Sequence, residues 1–276
     1  VQVAWRPVSS GFLQCGKHLP MMGGAAGGLQ IELECADLED AVVNAAGKSA
    51  EWELVSLKLH VDSVQLASEM TSSFADMLIQ GESILIPYQA NSMDVQYLNG
   101  GESANLSLAK QFSRLATVFV SLEDNAAEAV PTADAPGAMT KSMNNFTLPL
   151  ASHNKVESYI QVNNQRWPQF STVGTKHHFL RLLQTLGVWN SVSHSVNISA
   201  AGYGDGTEVS RQWVAGFDLE SVPGAEASGI PVQGGGTVMI SLKYISDDTT
   251  KIKKAYISTH YDAVLEIKSQ GAIVFS

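Results

Sequence analysis

Apolar and polar residues alternate with a period of two along much of this 276-residue chain. Leu29, Ile31, Leu33 and Cys35 interleave with Gln30, Glu32 and Glu34, the pattern of a half-buried strand. Over 51–66 the side chains of Val55, Leu57, Leu59 and Val61 fall on one face, and Trp52, Leu54, Ser56, Lys58 and His60 on the other. That spacing predicts a long strand with one apolar side. The period changes over 68–80, where Met70, Phe74, Met77 and Leu78 stand at helical spacing and Gly81 supplies the stop. Strands are predicted next at 84–88, 95–98, 104–108 and 115–122, with Gly or Asn turns between them. Short strands recurring about every ten residues indicate a sandwich or barrel.

Periodicity then stops. Residues 125–141 are small, carry two prolines and have no repeat, which marks a linker or a long surface loop. The second half repeats the plan of the first. Strands are predicted at 146–150 and 156–162, with Trp167-Pro168 closing the second. A helix follows over 176–186, striped by Phe179, Leu180, Leu182, Leu183 and Leu186 and stopped by Gly187. After a polar loop at 190–206 come strands at 209–219, 237–245, 255–261, 263–268 and 272–275. The expected organisation is a first β unit at 1–124, a linker at 125–143 and a second β unit at 144–276. A seam between them runs from Phe112 to Phe170.

Composition narrows the function. Charged residues make up 16% of the chain, against about a quarter in a typical domain, so the surface relies on Ser, Thr, Asn and Gln. The net charge is −10 and the 17 basic residues are scattered. A nucleic-acid face needs clustered Lys and Arg, so direct sequence-specific nucleic-acid binding is not expected. No apolar run approaches the ~20 residues of a membrane-spanning helix, and no secretion signal is visible at Val1. A start without Met fits a processed product or a segment of something longer. Cys15 and Cys35 have neither a disulfide framework nor a zinc spacing around them, and are expected to be reduced thiols.

The search for catalytic patterns comes back empty. Glu32, Glu34, Asp37, Glu39 and Asp40 lack the ordered oxygen ligands and turn glycine of a calcium loop. His177 and His178 are adjacent, so on a helix their rings point about 100° apart and cannot chelate together. His18, His60, His153, His194 and His260 have no supporting ligand spacing. No nucleophile elbow is present, and Gly234-Gly235-Gly236 precedes a strand rather than a phosphate-binding helix. A glycosidase pair of carboxylates cannot be read from spacing in a β protein. Asn105, Asn145 and Asn197 satisfy the glycosylation pattern by composition. Trp167, Trp189, Trp213 and Tyr203 are candidates for stacking on a sugar, or for core and interface anchors.

At the seam, Phe112-Ser113-Arg114-Leu115-Ala116-Thr117-Val118-Phe119-Val120 resembles a segment of double jelly-roll, hexon-like major capsid proteins, those of polintons, polinton-like viruses and adintoviruses. Phe12-Leu13-Gln14 with Leu19-Pro20, and Leu29-Gln30-Ile31-Glu32-Leu33, are similar to an upstream run of that family. The order from Val61-Asp62-Ser63-Val64 through Phe74 to Gly81 and on to Ile86-Pro87-Tyr88 resembles its strand-helix-strand order. Ile160-Gln161-Val162, Trp167-Pro168, the stretch from Phe179 to Gly187, the run from Gly216 to Ala225, and Tyr261-Asp262-Ala263-Val264-Leu265-Glu266-Ile267 resemble its second jelly roll.

The resemblance implies an all-β protein of two tandem jelly-roll sandwiches, each with a short helix between strands. Family members are longer, so the first jelly roll is expected to be incomplete at its N-terminal side. It implies a structural, non-enzymatic role in the virion of an icosahedral double-stranded DNA virus, assembled inside an infected host cell. The partners implied are the chain itself as a pseudo-hexagonal homotrimer, neighbouring capsomers, and penton and minor capsid proteins. No cofactor or metal is implied. Phe112, Arg114, Phe119, Arg166, Trp167 and Pro168 are the expected structural residues of the seam, with Arg114 and Arg166 holding ion pairs or bidentate contacts. A carbohydrate-binding β-sandwich is the alternative.

Overall fold

A computed structural model of the chain describes residues 11–13, 18–20, 30–35, 53–98, 101–124, 154–189, 198–204, 212–220, 229–232, 236–245 and 253–276. Its strands are β1 (Ile84–Leu98), β2 (Ser103–Leu108), β3 (Phe112–Asp124), β4 (Glu157–Val162), β5 (Gln165–Val173), β6 (Val214–Asp218), β7 (Ile230–Val232), β8 (Val238–Lys243), β9 (Lys253–Lys268) and β10 (Gly271–Phe275). Helices α1 (Ser68–Ile79), α2 (Thr175–Thr185) and the single turn α3 (Ala200–Gly204) interrupt them.

Both long helices end for the same local reason. At α1 the Gly81 amide donates to Leu78 and the Glu82 amide to Met77, with Gly81 at φ +88°. At α2 the Gly187 amide donates to Gln184 and the Val188 amide to Leu183, with Gly187 at φ +67°. This is the Schellman arrangement, in which a residue without Cβ takes the left-handed conformation and satisfies carbonyls at the helix end. The β4–β5 hairpin turns through Asn163 (φ 48°) and Asn164 (φ 68°), so two consecutive asparagines supply the positive φ values of a tight hairpin.

The chain divides into two compact units, one of Val1–Cys35, Glu53–Asn91 and Tyr261–Ser276, the other of Ala36–Trp52 and Ser92–His260. The larger unit is a jelly roll. One sheet has the order β1-β9-β3-β6, with β7 on β3, and the other has β2-β8-β4-β5. The ladders β2–β8, β3–β6 and β4–β8 are antiparallel: Phe119 stands opposite Gly216, Leu106 opposite Ile240, and Ile160 opposite the same Ile240. The eight strands of the two main paths, with β7 as an addition at β3, follow the order of a jelly roll. Its core is built from alternate side chains: Val118, Val120 and Leu122 of β3, Ile160 and Val162 of β4, Val238, Ile240 and Leu242 of β8, and Ala255 and Ile257 of β9 are all buried. The smaller unit holds α1, the 84–91 part of β1, the 261–268 part of β9, and β10. Its core is Ile86, Leu265 and Ile267 with Leu19, Ile84 and Tyr88 against them.

The all-β sandwich expected from the alternation, and the jelly-roll class that the resemblance implies, are what the structure shows. The expected boundaries need correction. Strands β2 and β3 precede 125–143, yet they pair with β8 and with β6 and β7 from beyond it. The larger unit therefore takes its strands from both sides of 125–143, within 92–260, rather than being divided at that stretch. Alternation reports that a strand has a covered face but says nothing of which strand covers it. Residues 125–153, and with them the linker and the strand predicted at 146–150, lie outside the described residues.

Two smaller expectations also change. The strands predicted at 84–88 and 95–98 are one strand, β1, and those at 255–261 and 263–268 are one strand, β9. The segment 53–66, expected as a long strand, takes no regular secondary structure and is exposed throughout.

Replacing Leu106, which is fully buried between β8 and the core, should create a cavity. Leu106→Ala is expected to lower unfolding free energy by about 2–5 kcal/mol, measured as a shift of the urea midpoint.

Candidate functional site

The seam residues lie in two different sheets of the same sandwich. Phe112 is buried at the start of β3, where it faces Val232 of β7 across the ladder. Arg114 is exposed on the same strand. Phe119 is half-buried and meets the His260 ring edge-on, with centroids 5.4 Å apart and planes at 68°. Arg166, Trp167 and Pro168 belong to β5, the edge strand of the other sheet. The strand order brings the three β3 residues together and the three β5 residues together, and does not join the groups into one seam.

Arg166 sits in a polar cluster on the outer face of β4, β5 and β8. Its guanidinium carbon lies 3.8 Å from the centroid of the Tyr159 ring, and it donates to the Ser171 hydroxyl. Ser171 in turn donates to Glu157 Oε1 at 2.6 Å. Lys243 Nζ stands 3.5 Å and Arg166 Nη2 3.8 Å from the same oxygen. The Ser171 hydrogen bond first, and then the two cations, hold the Glu157 carboxyl below its ordinary pKa against the opposing effect of burial. Alternation puts these residues here: Ser158, Ile160 and Val162 point inward, so Glu157 and Tyr159 point out. With Arg166 and Lys243 each over 40% exposed, such a cluster contributes no more than about 1 kcal/mol.

The chemistry that spacing missed is inside. His178, set aside as a metal ligand because its ring diverges from that of His177, is buried in α2. Its Nδ1 is 2.8 Å from the Gly174 carbonyl and its Nε2 is 2.8 Å from Ser158 Oγ. One neutral tautomer satisfies both: Nδ1–H donates to the carbonyl and Nε2 accepts from the hydroxyl. Trp213 packs against the ring at 5.6 Å. The available signal was helical spacing, since Thr175, His178 and Leu182 share the buried stripe. His177 is on another face of the helix, so the two rings do not act together.

Of the aromatic residues considered for sugar stacking, Trp213 and Tyr203 are buried, and the Tyr203 hydroxyl donates to the Val214 carbonyl at 2.6 Å. Trp167 and Trp189 instead line a cleft of about 610 Å³ with Arg181, Gln184, Asp218 and Glu220. Trp167 Nε1 and Arg181 Nε have no hydrogen-bond partner among the described residues. The cleft exists because α2 lies close on β6: a Cβ at Gly216 would meet Thr185 Oγ1 at 2.9 Å.

Other candidates have simple placements. Cys35 is an exposed free thiol, while Cys15 lies outside the described residues. Asn105 is exposed on β2, and Asn145 and Asn197 lie outside the described residues. No group of His, Cys, Asp or Glu among the described residues could hold a metal ion. No described helix is long and apolar enough to cross a membrane.

Acid should act through His178. Burial pushes its pKa from 6.5 down to about 4, so between those values the unfolded chain binds a proton that the fold refuses. Stability is then complete above pH 6.5 and falls as pH drops toward 4, by roughly 3 kcal/mol at most. The urea midpoint of the wild type is expected to follow this course, and His178→Gln to show a shallower dependence over the same window.

No family model matches the chain, and no curated protein matches it. Among solved structures it is similar to the PBCV-1 virus capsid at 12% identity and a TM-score of 0.42, covering 76% of this chain and 55% of that one. It is similar to the Sputnik virophage structure at 15% identity and a TM-score of 0.38, covering 70% and 39%. It is also similar to the mavirus major capsid protein at 9% identity and a TM-score of 0.37, covering 69% and 41%. The chain thus spans about half the length, or less, of these virus and virophage capsid chains.

Proposed function

We propose that this chain is a structural capsid protein of an icosahedral double-stranded DNA virus, resident in the virion and without catalytic activity. Its copies associate as homotrimeric, pseudo-hexagonal capsomers, which meet neighbouring capsomers and penton and minor capsid proteins. The observation that carries this reading is the strand order, β1-β9-β3-β6 over β2-β8-β4-β5. Jelly rolls of this kind serve as shell-forming and lectin domains, and fold alone does not choose between them. The resemblance of 112–120 to the capsid family favours the first.

Surface chemistry adds support. The smaller unit leaves Leu54, Val55, Leu57, Leu59, Val61 and Val64 in water, each more than half exposed. Contiguous apolar surface of this kind marks association sites. A low charge content, 16%, suits broad contacts made by neutral polar and aromatic side chains.

A second reading is favoured by one feature, the cleft holding Trp167 and Trp189. An exposed indole beside Arg181, Gln184 and Asp218 is suited to a sugar, which presents an apolar face and a ring of hydroxyls. As a carbohydrate-binding sandwich, the protein need not form a trimer.

Light scattering after size exclusion, with negative-stain microscopy of the same fractions, tests the first reading. A three-chain species with three-fold views, or closed particles, is expected. A monomer at all concentrations would overturn it. A glycan array addresses the second: selective binding lost in Trp189→Ala would favour a sugar site, and no binding would remove it.

A further inference from the structure

We propose that the cleft beside α2 binds a neutral 2-acetamido sugar, an N-acetylhexosamine presented on a glycan. This rests on the carbohydrate reading of the cleft and names the sugar.

The cleft lies within the larger unit, where the terminal strands of both sheets meet α2. Strand β5 supplies Trp167 and Pro168, α2 supplies Arg181, β6 supplies Phe217 and Asp218, and Trp189 follows the helix. Its volume, about 610 Å³, is that of a small-ligand site.

Three kinds of group share this wall. Trp189 is 49% exposed and offers an indole face, with Pro168 and Phe217 as further apolar surface. Trp167 Nε1 and Arg181 Nε are buried donors with no acceptor among the described residues. The exposed Asp218 carboxylate is held by the Glu220 amide, which donates to its Oδ1 at 3.0 Å. Arg181 is held in turn, its Nη1 donating to Gln184 Oε1 at 3.2 Å.

Buried donors without acceptors are rare in native folds, because each gives up a bond to water and gains none. Two of them in the wall of one cleft call for an occupant that brings oxygen acceptors. Charge narrows the choice. Asp218 and Glu220 outnumber Arg181 in the wall, which disfavours a carboxylate, sulfate or phosphate. The oxygens required are therefore those of carbonyls and hydroxyls.

A hexose supplies hydroxyls, together with an apolar ring face for Trp189. An acetamido substituent adds what the rest of the wall matches. Its carbonyl accepts from Trp167 Nε1–H, its N–H donates to Asp218, and its methyl lies on Pro168 and Phe217. Arg181 Nε–H then donates to a ring hydroxyl. A plain hexose leaves the Trp167 donor unpaired, and a buried donor left unpaired is what lets a site reject the analogue.

The test uses the full chain with N-acetylglucosamine, glucose and glucuronic acid as probes. Calorimetry is expected to show N-acetylglucosamine binding about tenfold or more tighter than the other two. Saturation-transfer NMR should show its acetyl methyl as the most strongly saturated group. Trp189→Ala and Asp218→Asn, both at exposed positions, should weaken binding with the circular-dichroism melt unchanged. Trp167→Phe keeps a ring, removes the N–H donor, and should abolish the preference over glucose. Glucose or glucuronic acid bound as tightly as N-acetylglucosamine, or an acetyl methyl without saturation, would overturn the acetamido assignment and leave the sugar reading standing. Binding unchanged in Trp189→Ala would overturn the site. No sugar bound at all would overturn both this assignment and the sugar reading, and leave the capsid reading untouched.

Discussion

Strand β9 lies between β1 and β3, and strand β8 lies between β2 and β4. The rest of the jelly roll depends on these two central placements. Each brings a segment from beyond residue 237 between segments from before residue 163, so both sheets are completed only when the end of the chain returns. Among the described pairs only β4–β5 and β9–β10 are hairpins. Of the inward residues of β8, Ile240 stands across the ladder from both Leu106 of β2 and Ile160 of β4, and Val238 from Leu108 and Val162. The core is therefore a joint product of the beginning and the end of the fold.

Helix α2 shows how a polar group can be kept inside such a core. Its buried stripe includes an imidazole, which would be costly to bury unpaired. Ser158 on β4 and the Gly174 carbonyl satisfy both ring nitrogens of the neutral form. The Ser158 bond ties the helix to the second sheet. Close contact of α2 with Gly216 of β6 ties it to the first. The helix thus bridges the open end of the sandwich, and the cleft with Trp167 and Trp189 is the space left beside it.

Much of the local structure was legible from the residues. Helices at 68–79 and 175–185 follow from Met70, Phe74 and Met77 and from Phe179, Leu182 and Leu183 at helical spacing, with Gly81 and Gly187 as stops. Strands β2, β3, β4, β8 and β10 follow from alternation. What was not legible was partnership. Phe112 and Arg166 were read as one seam because the intervening residues look like a linker, yet β3 and β5 sit in different sheets. His178 was read by its neighbour His177, when its position relative to Leu182 mattered more.

The sequence by itself determined most of the strand segments, which face of each is apolar, and where both long helices stop. Those properties are set by side-chain period and by a glycine at the right position, and they act over a few residues. Only the tertiary structure decided that strands from both sides of 125–143 share one sandwich. It also decided that His178 is a satisfied core residue, and that the apolar side chains of 54–66 are exposed. The reason is physical: burial is a relation between distant segments, and a period of two states the need for a partner without naming it.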